Sequence, residues 1–167
     1  MLYRLNDGFG RAAENMKDSS WLIFRVLASA MFMTHGYDKL LGANPQPFSG
    51  SGMTEITIGS LASFPMPLEI NALFIAGIVE LGGGAFILLG LWTHLFAFLA
   101  LLQMVMAYLI AHLAWFPTLN GGELAAMYWL AYLLLFVYGP GMYSLDTLLA
   151  ERRQEKRRAG KAAAGVE

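Results

Sequence analysis

The chain has 167 residues, 57% of them hydrophobic and 14% charged, with a net charge of −1 and a mean hydropathy of +0.51. That balance falls outside the soluble globular range, points to a membrane protein, and provides no basic excess for nucleic acid. The absence of cysteine excludes disulfides, thiolate metal sites and a CxxC relay within the chain.

The first stretch, MLYRLNDGFGRAAENMKDSS, has no apolar core and no small-residue cleavage site. It predicts a cytoplasmic tail over residues 1–20 and not a cleaved signal peptide, with the first span as the insertion signal. Four apolar runs follow, at 21–41, 68–91, 93–112 and 122–140. Each is about 20 residues long, enough for a helix to cross a hydrocarbon core about 30 Å thick. The expected fold is all-α, a transmembrane four-helix bundle over 21–140 followed by a basic tail at 141–167.

Lysine and arginine are absent from the connections at 42–67, 92–94 and 113–121. They occur in the first tail (Arg4, Arg11, Lys17) and after the last run (Arg152, Arg153, Lys156, Arg157, Arg158, Lys161). Because positive residues stay on the cytoplasmic side, both termini are expected there, with a long external loop between spans one and two. In that loop Met53, Ile56, Leu61 and Phe64 recur at roughly helical spacing, which predicts a short helix lying flat on the outer surface, with a plain amphipathic connector as the alternative. Trp115 and Phe116 in the second external loop read as interfacial anchors, and His94 as a residue of the tight inner turn. The final ERRQEKRRAGK reads as a topology signal in a solvated tail. A helix resting Leu145, Leu148 and Leu149 on the membrane surface is the alternative.

Charge inside a membrane costs about 2.5–3.5 kcal/mol per residue on insertion scales, so it faces the bundle interior and finds a partner. At 100° per residue, Arg25, Ser29, Gly36 and Lys39 fall within roughly 80° of one another on the first helix, with His35 on the shoulder of that stripe. On the second helix Glu80 is flanked by Gly77, Gly83 and Gly84, small residues that let another backbone come close. A rise of 1.5 Å per residue places Arg25 about 6 Å from the inner end of its span, and Glu80 and Gln103 at about 15–16 Å. The same rise places His35 near about 21 Å, and Lys39, His112 and Glu123 at about 25–28 Å. Two layers are therefore expected: a central one of Arg25, His35, Glu80 and Gln103, and an external one of Lys39, His112, Asn120 and Glu123. Gln103 and His112 lie on opposite helical faces, so at most one is expected in any shared cavity. The structural alternatives are an Arg25–Glu80 ion pair that sets register, Lys39 and Glu123 snorkelling to headgroups, and a His35 that only packs. A haem between His35 and His112 is disfavoured by a height difference of about 7 Å, and no metal site is expected.

Arg25, THGYDKL at 34–40, E-LGGGAFILLGLWT from Glu80, NGGELA at 120–125 and GPGMYSLD at 139–146 together resemble the DoxX family. The resemblance spans about residues 20–147. It implies a four-helix bacterial integral membrane protein of the inner membrane, from a family linked to terminal quinol oxidase, to thiosulfate:quinone oxidoreductase and to oxidative-stress assemblies. The family's recurrent polar positions fall here on Arg25, His35, Lys39, Glu80, Asn120, Glu123 and Asp146. Met142 stands where the last block often has arginine.

The leading functional expectation is a quinone-linked subunit or accessory of a membrane redox system. Arg25, His35, Lys39, Glu80 and Gln103 would form the polar part of its site, and Phe32, Tyr132 and Phe136 its walls. Quinone is the one cofactor this suggests; the partners are membrane lipid, redox-enzyme subunits and a homo-oligomer, with no nucleic acid. The alternatives are a non-catalytic scaffold for partner proteins and, third, a proton or small-solute transporter.

Overall fold

The computed structural model describes residues 2–164; the extreme ends of the two tails, residue 1 and residues 165–167, lie outside them. Helix α1, Leu2–Leu41, runs unbroken for 40 residues. Residue 20, where the tail is expected to meet the first span, lies within this helix. No proline interrupts the segment, and Gly8 and Gly10 each cost a helix only about 1 kcal/mol relative to alanine. At 1.5 Å per residue α1 is about 60 Å long, and residues 3–20 are exposed along its first half.

The connection after α1 corrects the expected flat helix. It contains an antiparallel hairpin, β1 (Glu55–Ile58) against β2 (Ala62–Pro65), with Ile56 opposite Phe64 and Ile58 opposite Ala62. The period-two run EITI wins over the looser helical spacing: β-branched Ile56 and Ile58 turn inward while Glu55 and Thr57 face out. On the outer face Thr57 Oγ1 and Ser63 Oγ lie 3.1 Å apart, and Ser63 donates to Glu55. A two-stranded hairpin is marginal alone, and this one is moored by Asn71, whose side chain is fully buried. Asn71 Oδ1 accepts from the backbone N–H groups of Met53 (3.1 Å) and Leu73 (3.0 Å). Its Nδ2 donates to Gln46 Oε1 and to the Pro47 carbonyl, both at 3.1 Å. One amide thus caps the next helix and holds the base of the hairpin.

Helix α2 covers Ala72–Leu89 and contains one π-helical turn, Val79–Gly83. It lies antiparallel to α1 at very short range. A Cβ on Gly36 would sit 2.8 Å from Glu80 Cβ and 2.9 Å from its carbonyl carbon; one on Gly77 would meet Leu40, and one on Gly84 would meet Met33. Helix α3 (Thr93–Ala111) and helix α4 (Glu123–Tyr138) form a second extensive helix pair beside α1 and α2, and the polar helix α5 (Leu145–Ala164) follows. Two helices, Ala72–Leu89 and Thr93–Ala111, are long and apolar enough to cross a membrane; α4, at 16 residues, is apolar but shorter. Phe32, Ile87, Ala97, Ala100, Tyr132 and Leu135 form the core between them.

At the end of the molecule where α5 leaves, three segments are tied together. Arg25, 2% exposed, donates to the carbonyls of Pro140 and Tyr143, the latter at 2.7 Å, and Trp21 Nε1 donates to the Gly139 carbonyl at 3.0 Å. The Asp146 carboxylate accepts from the N–H groups of Trp92 (2.9 Å) and Thr93 (3.0 Å), so it caps α3 from a distant part of the chain. Trp92 has a left-handed backbone, φ 50°, which that carboxylate helps to hold.

Two substitutions test these constraints by thermal unfolding in detergent. Gly36→Ala should destabilise by about 2 kcal/mol through overpacking, whereas Gly82→Ala, where a Cβ meets nothing within 4 Å, should leave stability unchanged or slightly raised. Asp146→Ala should cost about 1–2 kcal/mol through the lost cap, and Asp146→Asn, which keeps one acceptor, should cost less.

Candidate functional site

Glu80 is the centre of the polar interior. The π turn carries it into the interface between α1 and α3, where it is 3% exposed. Its Oε2 lies 2.6 Å from Lys39 Nζ, and its Oε1 accepts from Gln103 Nε2 at 2.7 Å. Depth along the helix axes had separated Lys39 from Glu80 by about 10 Å. Register removes most of that gap: Gly36 packs on Glu80, which leaves Lys39 about 4.5 Å away along the axis, and both side chains lean toward the N-terminus of their own helix, directions that converge in an antiparallel pair. Lys39 is therefore not a snorkelling end residue.

The expected Arg25–Glu80 pair is not formed. Arg25 spends its guanidinium on the Pro140 and Tyr143 carbonyls at the far end of the bundle. It provides a cation beside the C-terminal end of α4, near the exposed Met142.

Above Glu80, toward the hairpin, lies a cavity of about 710 Å³. Lys39, Glu80, Gln103, Phe32 and Tyr128 form its floor, and the hairpin segment covers it with Met53, Ile56 and Met66. Alanines 72, 76, 107, 111 and 125 keep the walls thin. The walls are mainly hydrocarbon, with most of the polarity at the floor and two histidines elsewhere on the lining. Two buried polar atoms there lack a protein partner: Gln103 Oε1 and Tyr128 OH. The amide orientation of Gln103 is dictated by its neighbour, because a carboxylate only accepts and so takes the NH₂ group, leaving the oxygen free. Leaving such atoms unmatched costs about 1–3 kcal/mol each.

His35 lines this cavity and meets Tyr128 edge-on, with ring centroids 5.9 Å apart. His112 lines it as well, and its Nδ1 lies 2.9 Å from the Asn120 carbonyl. The expectation that Gln103 and His112 could not share a cavity fails because His112 follows the last helical residue, with φ −131° and ψ 22°, so the helical wheel no longer applies. The expected external layer is divided accordingly. Asn120 contributes its backbone, and Glu123 is exposed in the first turn of α4 beside the positive end of that helix; neither lines the cavity. Of the expected walls, Phe32 is in place, Tyr132 is buried beneath it at 4.8 Å, and Phe136 is exposed against Phe98 at 5.3 Å. His94 does more than fill a turn, with its Nδ1 2.7 Å from the Phe136 carbonyl.

Tyr128 was not legible as a site residue, since in sequence it is one aromatic among many on an apolar helix. Asn71 was missed too, although Asn before an apolar run is a helix N-cap signal.

An apolar helical protein with a buried ion pair beneath a hydrocarbon-walled cavity belongs among integral membrane proteins. The chain is a member of the DoxX family, whose model matches residues 20–113. A Haemophilus influenzae protein described as uncharacterized is 34% identical over 127 residues, covering 73% of this chain and 84% of that one. The Escherichia coli inner membrane protein YphA is 30% identical over 132 residues (75% and 86%). The Escherichia coli inner membrane protein YqjF is 29% identical over 150 residues (83% and 98%). No solved structure matches the chain.

A double-mutant cycle checks the ion pair. Lys39→Met and Glu80→Gln should each lower stability by about 3–5 kcal/mol, because each leaves an uncompensated buried charge or its solvation cost behind, and the double variant should recover much of the loss. Arg25→Gln combined with Glu80→Gln should be additive.

Proposed function

We propose that this is a multi-pass inner-membrane protein whose cavity binds the headgroup of a lipid-soluble quinone, as a subunit or accessory of a membrane redox system. Two unpartnered buried atoms at the base of an otherwise apolar cavity carry this reading. Tyr128 OH can donate to a quinone carbonyl oxygen, and Gln103 Oε1 can accept from the hydroxyl of the reduced form. Phe32 and the Tyr128 ring offer flat faces, while Met53, Met66 and Met104 provide a deformable thioether lining. A quinone carries two electrons and two protons. Lys39, Glu80 and His35 are the groups at this floor able to hold or pass a proton, and electrons would be exchanged with a partner subunit.

The proposed topology is four spans over residues 21–140 with both tails cytoplasmic and the hairpin external. The lysine and arginine distribution and the inner-membrane descriptions of YphA and YqjF support it. The exposed first half of α1 and the polar α5 would then lie in the cytoplasm as the docking region for redox-enzyme subunits. Beneath the floor, Tyr132, Ile87 and Leu135 are packed and buried. A dead-end cavity favours a binding site over a transport path.

Two measurements test this. The purified parent protein should retain quinone, with Tyr128→Phe and Gln103→Leu each lowering affinity about tenfold, the 1.4 kcal/mol expected of one hydrogen bond. Absence of quinone binding in the parent would leave the scaffold reading ahead. Alkaline phosphatase fused within 42–67 or 113–121 should be active and fused to either tail silent, and an active tail fusion would reverse the topology.

A further inference from the structure

The cavity has two conceivable entrances: from external water past the hairpin, or from the bilayer between two helices. The structure treats the two sides differently. The hairpin is moored on the α2–α3 side, where the lining residues Ile75 and Met106 are 40% and 36% exposed. Asn71 ties its base to the start of α2, and a Cβ on Gly59 at its tip would lie 3.2 Å from Leu113 at the end of α3. Its polar residues Glu55, Thr57 and Ser63 bond one another on the face turned away from the cavity, while Met53, Ile56 and Met66 line it.

The α1–α4 side is built otherwise. Helices α1 and α4 meet only along a short stretch, whereas α1 with α2 and α3 with α4 meet extensively. Every ring contact and side-chain hydrogen bond between α1 and α4 lies at or below His35 and Tyr128. Phe32 meets Tyr132 at 4.8 Å and Tyr128 at 5.7 Å, His35 meets Tyr128 at 5.9 Å, and Tyr132 OH reaches the Ala28 carbonyl at 3.4 Å. Above them the seam is unfastened. His35 and Leu124, one on each side of it, both line the cavity and are both exposed, Leu124 by 53%.

We propose that the cavity opens sideways to the outer leaflet through the upper α1–α4 seam, with His35 and Leu124 at its lip. Its ligand is therefore a membrane-dissolved amphiphile whose headgroup meets Gln103 and Tyr128 while its hydrocarbon tail stays in the seam. This rests on the quinone reading for the identity of the headgroup, but the opening itself does not. A tail left in the seam loses little of its hydrocarbon environment on binding, so selection falls on the headgroup and the floor that receives it. The hairpin keeps external water off that floor, where the Lys39–Glu80 pair is strongest when dry.

The natural lack of cysteine lets a single spin label report on each wall. With the label at Ala125→Cys in liposomes, collision with dissolved oxygen should exceed collision with a water-soluble nickel chelate several-fold, and the same label at Ala76→Cys, under the hairpin, should show low access to both. High nickel access at Ala125, low access to both probes there, or equal oxygen access at the two positions would overturn the seam. A ubiquinone analogue with a diazirine at the end of a ten-carbon tail gives the second readout. Its photoproducts, competed by unlabelled ubiquinone, should map to α1 and α4 around His35 and Leu124. Mapping to the hairpin would place the tail toward water and overturn the proposal. Labelling that is not competed would remove the quinone reading, while the collision ratios still decide the opening.

Discussion

The close approach of α1 and α2 is the constraint on which the rest depends. Gly36 rides directly on the backbone of Glu80 and Leu81, with Gly77 and Gly84 one step away on either side. At that separation a lysine and a glutamate one helical turn apart along the axes join their charges within the interior. The ion pair then recruits Gln103 from α3, and the orientation forced on that amide leaves its buried oxygen without a partner. A chain of local necessities thus runs from three missing side chains to one free hydrogen-bond acceptor.

The two ends of the molecule are organised on different principles. Where the chain termini leave, Trp21, Arg25 and Asp146 hold backbone groups of segments distant in sequence. Charge there does structural work: Arg25 satisfies carbonyls just past α4, and Asp146 satisfies N–H groups at the start of α3. At the hairpin end the helices separate, small side chains leave space, and one buried asparagine secures the covering segment. Rigidity at one end and room at the other are what a binding cavity on a helical scaffold requires.

The same contrast explains why resemblance alone misassigns roles. Arg25, Glu80 and Asp146 all look like one polar set in the sequence, yet only Glu80 touches the cavity. Arg25 and Asp146 serve the fold, and Lys39, which depth along its helix places in the external layer, is the partner of the buried acid. Membrane interiors make this sorting strict, because each charge must find a counter-charge or a set of backbone groups.

Composition and apolar run length were enough to establish a helical membrane protein, and the positions of the helices at 72–89, 93–111 and 123–138 followed from the same pattern, since the cost of burying backbone and charge in hydrocarbon acts on each segment separately. The polar face of α1 and the glycine setting of Glu80 were legible for the same reason: a helical wheel needs only spacing. The pairing of those residues was not. It depends on the axial offset between helices, on side chains leaning in opposite directions in an antiparallel pair, and on a π turn that shifts the face of α2. The hairpin at 55–65 was hidden because Met53, Ile56, Leu61 and Phe64 recur at roughly helical spacing, while the period-two signal is confined to the four residues EITI. His112 and Tyr128 became site residues only through three-dimensional placement, one by following a helix end and the other by standing where two helices part. Spacing along one chain carries the energetics of a single helix in hydrocarbon; which charges meet, and where space is left, is decided between helices.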